Sequence, residues 1–138
     1  MTLHESTSIL RWPAAACLAA TAAIHMTLVP EHLRQAPYAG ALFIALSAAA
    51  LAGALLLMAV DHDLVWTGAA ALCLSAVLSY VLSRSVGLPD MSDDVGDWLN
   101  SLGIASVACE TTAVAICSVV VWRARADGRP SRNFGTEY

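Results

Sequence analysis

The chain has 138 residues; 58% are hydrophobic, only 13% are charged, and the net charge is −4. A soluble domain carries about 25% charged residues, so this composition excludes disorder and an ordinary soluble enzyme. All seven cations are arginine, and they form no basic patch that would track a nucleic-acid backbone.

A membrane helix needs about 20 mostly apolar residues, and the length and composition predict four of them in one domain spanning residues 1–138. The first is expected at 12–29. It opens on Trp12, follows Arg11 and holds His25 near its far end. A cleaved signal peptide is the rival reading, but the preceding stretch is barely positive and the apolar run is long and interrupted by His25. Pro30 to Pro37 is the expected link to the second span, 38–60, which opens on Tyr38 and carries Ala45, Ala49 and Gly53 as a ridge of small residues. Such ridges let helices approach closely in lipid. Asp61-His62-Asp63 forms a tight turn into the third span, 64–86, where Trp66 marks the start and Gly68, Ser75, Ser79 and Ser83 make a small, weakly polar side. Gly87 to Asp97 is a longer link. It contains Asp90, Asp93, Asp94 and Asp97, and it is long enough to fold over one mouth of the bundle. Asp97 is placed to cap the fourth span, 99–122, whose small side is Gly103, Ser106, Glu110 and Cys117. Trp98 and Trp122 stand at its ends, at the headgroup level where tryptophan is favoured. A polar tail, 126–138, closes the chain.

The expected fold is therefore an all-α, transmembrane, antiparallel four-helix bundle. Arg123, Arg125, Arg129 and Arg132 outweigh Asp127 and Glu137 beyond the fourth span. By the positive-inside rule the C-terminus is cytoplasmic, and four spans bring the N-terminus to the same side. The aspartate-rich link then lies outside. Cys17, Cys73, Cys109 and Cys117 all fall within spans, and no CxxC pair occurs. They read as small apolar residues.

Ionisable groups inside a span are costly and usually face the bundle interior. Three stand out: His25, Arg84 and Glu110. At 1.5 Å per residue, His25 lies roughly 6–8 Å and Glu110 roughly 17 Å from the outer surface, with Arg84 near it. Helical side chains lean toward their own N-terminus, so all three converge in the outer half of the bundle as a ligand or proton site. Each also has a plainer reading: Glu110 hydrogen-bonded to Ser106, His25 as a packing residue, Arg84 as an anchor reaching the headgroups. Glu31 and His32 follow just above, and His25, His32 and Glu31 are the candidate ligands for a divalent metal such as Zn²⁺ or Cu²⁺. His25 and His32 share a helix face only if the helix continues past Pro30.

His25, Pro30-Glu31-His32, Ala36-Pro37-Tyr38, the run Ser83 to Pro89, Gly96-Asp97-Trp98 and Glu110 together resemble a group of uncharacterised small four-span integral membrane proteins of high-GC Gram-positive bacteria. The resemblance covers about residues 12–122. It implies a bacterial cytoplasmic (inner) membrane and carries no activity with it.

The functional expectation is a small integral membrane protein with an ion or metal binding or permeation site in the outer half of the bundle. The alternative is a non-catalytic accessory subunit of a larger membrane complex, or a homo-oligomer packed through small residues. A b-type haem is disfavoured because His25 is the sole histidine within a span and axial ligation needs facing partners. No nucleophile elbow, phosphate-binding loop or HExxH occurs, so the chain does not read as an enzyme.

Overall fold

The computed structural model describes residues 3–127, with side chains from residue 9 onward. The predicted tail beyond Asp127, including Arg129, Arg132 and Glu137, lies outside the described residues. The described chain forms α1 (Leu3–Gln35), α2 (Pro37–Ala59), α3 (Asp63–Ser85) and α4 (Ser101–Ala126), with a short 3₁₀ turn at Ser92–Asp94. Each helix contains a stretch long and apolar enough to cross a membrane. The fold is thus all-helical with four membrane-length helices. Its α2 and α3 begin and end within a residue of the expected spans.

The first helix departs from expectation. It does not stop at Val29 but continues through Pro30 to Gln35. Proline removes one backbone hydrogen bond from a helix, and tertiary contacts hold the turn beyond it. His32 stacks on Phe43 of α2 with ring centroids 4.0 Å apart, and Leu33 lies against Gly40. The expected link of Pro30 to Pro37 shrinks to Ala36 alone, an extended residue at φ −147°. Pro37 then starts α2 where its missing N–H costs nothing. A Cβ on Gly40 would sit 2.4 Å from Leu33 Cγ and 2.9 Å from Leu33 Cα, so only glycine lets the two helices meet this closely. Contacts recede from this turn in step: His25 also meets Phe43, and Leu18 approaches Gly53.

Buried residues recur at alternating spacings of three and four. On α4 they include Gly103, Ser106, Glu110, Ala113, Cys117 and Val120. On α3 they include Trp66, Ala69, Cys73 and Ala76, and on α2 Ser47, Ala50, Ala54 and Leu57. Alternating three and four is the spacing of a seam that packs ridges into grooves at a shallow crossing angle. The small side read for α4 is this seam. On α2 the seam runs one face over from the expected ridge, and Ala45 and Ala49 are exposed. On α3, Gly68, Ser75 and Ser79 are exposed while Ser83 is buried. Small size marked both faces of these helices, so it did not distinguish the packed one. Helix α1 packs against α2 and α4, and α3 against α4, whereas α2 and α3 meet sparingly.

Trp66 stands in the first turn of α3, near the start it was expected to mark, but it turns into the bundle: it is 1% exposed and packs in the core with Leu18, Leu57, Cys73 and Cys117. Trp12, Trp98 and Trp122 are exposed. Asp97 does not cap α4. The helix begins later, and the Asn100 side chain accepts the Gly103 N–H at 3.1 Å. All four cysteines are free.

Candidate functional site

A cleft of ≈ 740 Å³ opens in the half of the molecule that holds the α1–α2 turn and the α3–α4 loop, and it reaches down to Glu110. Its floor is polar. On α4, Ser106 and Glu110 are one helical turn apart, and the Ser106 hydroxyl donates to Glu110 Oε1 at 2.8 Å. On α1, His25 Nδ1 lies 2.9 Å from Thr21 O. A carbonyl only accepts, so Nδ1 is the donor and carries the hydrogen. That fixes Nε2 as the atom facing Glu110, with Nε2 and Oε1 3.7 Å apart. This separation exceeds a hydrogen bond and is close enough for strong electrostatic attraction when the imidazole is protonated. Both residues are buried, Glu110 at 1% and His25 at 8% exposure. The Thr21 hydroxyl, one turn below His25, is also buried and has no partner.

The walls are largely apolar or small. Phe43 stands between the two histidines, its ring centroid 4.9 Å from that of His25 and 4.0 Å from that of His32. Ala45 and Ala49 of α2 and Ser75 and Ser79 of α3 line the cleft at mid-helix, and all four are exposed. The two serine hydroxyls turn back on their own helix, to Leu72 O and Ser75 O. These small residues are exposed rather than packed between α2 and α3, which meet sparingly.

The α3–α4 loop is tied over the mouth. Gly87, at φ +86°, turns the chain out of α3. Pro89 and Asp90 (φ 61°) then form a tight turn closed by Met91 N to Leu88 O, where the positive φ at the third position is that of a type II turn. Met91 is buried against Ala36 and Ala39. Tyr38 donates to Pro89 O at 2.6 Å, and Tyr80 donates to Trp98 O at 3.0 Å. Arg84 is the centre of this cap. Its Nη1 is 2.8 Å from Asp94 Oδ2, its carbonyl accepts the Gly96 N–H, and its guanidinium lies 5.1 Å from the centre of the Tyr80 ring.

Of the residues singled out by sequence, His25 and Glu110 meet directly. Arg84 lines the same cleft but is paired with Asp94 at its mouth, because the loop folds back to meet it. The metal set is not assembled. His32 donates Nδ1 to Leu28 O and stacks on Phe43. Glu31 faces outward to Arg34 and Gln35. Among the described residues no three His, Cys, Asp or Glu side chains cluster closely enough to hold a metal ion. Sequence reasoning missed Phe43, Tyr38 and Tyr80. Phe43 carried a signal, as the one phenylalanine among the four predicted spans; the two tyrosines are defined by loop contacts no local pattern encodes. Comparison of the chain with family models, curated proteins and solved structures finds no match.

Proposed function

We propose that this chain is a multi-pass protein of the bacterial cytoplasmic membrane, an antiparallel bundle with both termini cytoplasmic, that binds a small ligand or ion in the outer half of the bundle. The observation that carries this reading is the buried His25–Ser106–Glu110 cluster at the floor of a cleft of ligand size. Pockets of about 300–1,000 Å³ with apolar walls and a few convergent polar groups are the usual form of small-molecule sites, and a carboxylate deep in a membrane span is costly unless it is used. The arrangement favours a ligand or a proton exchanged at Glu110 over a caged metal.

A carbodiimide that partitions into membranes tests the site. Dicyclohexylcarbodiimide reacts with carboxyls it can reach from apolar surroundings. It is expected to modify Glu110, located by mass spectrometry, and to leave that peptide unmodified in Glu110→Gln. An unreactive Glu110 in the folded wild type overturns the reading. Orientation is tested separately by membrane-impermeant maleimide on intact cells: Ser92→Cys is labelled and His62→Cys is not, if the loop end faces outward.

A further inference from the structure

The charge and shape of the cleft narrow its ligand, on the premise that the cleft is a binding site at all. Four carboxylates line it, from Glu31, Asp94, Asp97 and Glu110, against one arginine, Arg84. That arginine is already neutralised by Asp94 at 2.8 Å. Glu31 is held outward by Arg34. The carboxylate in the deep part is Glu110, which faces a histidine and a serine and no arginine. A low-dielectric cleft lined by one sign of charge concentrates ligands of the other sign. Tyr38, Phe43 and Tyr80 line it as well, the Phe43 ring packed against His25 and His32 and the Tyr80 ring against Arg84, so the walls offer aromatic and apolar surface to the organic part of a ligand.

Size excludes a bare ion as the fitted occupant. A volume of ≈ 740 Å³ far exceeds an ion's coordination shell, and no three metal-binding side chains come together among the described residues. Ala45 and Ala49 of α2 and Ser75 and Ser79 of α3 line the cleft and are exposed, and α2 and α3 meet sparingly, so these residues mark a seam between the two helices. In a bilayer that seam looks onto lipid. A ligand using it must itself dissolve in lipid.

We infer that the cleft binds a lipophilic organic cation, reached from the bilayer through the α2–α3 seam, with its charge set against Glu110 and its apolar groups against the α2 and α3 walls. Tetraphenylphosphonium and tetraphenylborate have the same shape and opposite charge, and they are the probes. Titrated into the detergent-purified full chain, the phosphonium is expected to bind saturably and at least tenfold more tightly than the borate. Glu110→Gln keeps the volume and the Ser106 contact; it should weaken phosphonium binding at least tenfold and leave the borate unchanged. Ala49→Phe narrows the seam without touching the floor and should also weaken the phosphonium at least tenfold, with unaltered circular dichroism and elution volume showing that the fold is retained. Equal affinity for the two ions, or phosphonium binding unchanged in both folded variants, overturns the inference. Neutral triphenylphosphine oxide separates the two levels. If it binds in a Glu110-dependent way and the phosphonium does not, the ligand class is wrong and the site stands. If none of the three probes binds, both fall.

Discussion

The two ends of this bundle use the same seam spacing and reach opposite results. At the end bearing Arg11 and Asp61, the seam positions hold Leu18, Leu57, Trp66, Cys73 and Cys117, and the helices close on a mainly apolar core. At the loop end the equivalent positions hold His25, Gly40, Ser83, Gly103 and Ser106, and a cleft remains. Side-chain volume at the seam decides the difference. Where seam residues are large they fill the centre; where they are small or polar, the centre stays open. One end is closed by packed side chains, and the other keeps an open cleft.

Substitutions at the two ends should therefore separate stability from binding. Trp66→Ala is expected to cost most, about 3 kcal/mol or more, as a large void in a closed core. In lipid or detergent most of that loss is missing dispersion contact rather than transfer from water. It is read as a lowered melting temperature in detergent; a loss below about 1 kcal/mol would mean the closed end is not the stable one. Gly40→Val follows, at about 1–3 kcal/mol, because the added carbon meets the Leu33 backbone and forces the α1–α2 turn apart. Arg84→Ala sharpens the comparison at the cleft end. Its ion pair with Asp94 is mostly buried, at 10% and 23% side-chain exposure. The loss should be about 1–2 kcal/mol, between that of surface and fully buried pairs, with limited proteolysis now cutting the loop between Val86 and Asn100. Unchanged cleavage would show that the cap does not depend on Arg84. Arg34→Ala is the smallest, below about 0.5 kcal/mol, because the Glu31–Arg34 pair is exposed.

Much of this contrast was legible in the sequence, and the missing part has a common cause. The four helices follow from apolar length, and the α4 seam from Gly103, Ser106, Glu110 and Cys117, which share a face whichever neighbour they meet. His25 and Glu110 were found because ionisable groups in apolar runs are rare. The α2 face was misread because Ala45 and Ala49 are as small as Ala50 and Ala54, and only the partner helix chooses between them. Trp66 sits at a span end in sequence and in the core in space, since position along a helix says nothing of direction around it. The continuation of α1 past Pro30, and the pairing of Arg84 with Asp94, depend on Phe43, Gly40 and the folded loop. Those are long-range contacts, invisible to local spacing.

The single residue between α1 and α2 has a mechanical consequence. Ala36 leaves no slack, so those two helices form one board. The loop bonded to Tyr80 and Arg84 makes α3 and α4 another, and its contacts with Tyr38, Ala36 and Ala39 clasp it to the first. The boards are joined along α1 and α4 and barely touch along α2 and α3, which is the construction of a book with its spine at the α1–α4 contact. The clasp holds the pages together at the loop end of the fore-edge, while His25 and Glu110 lie in the binding.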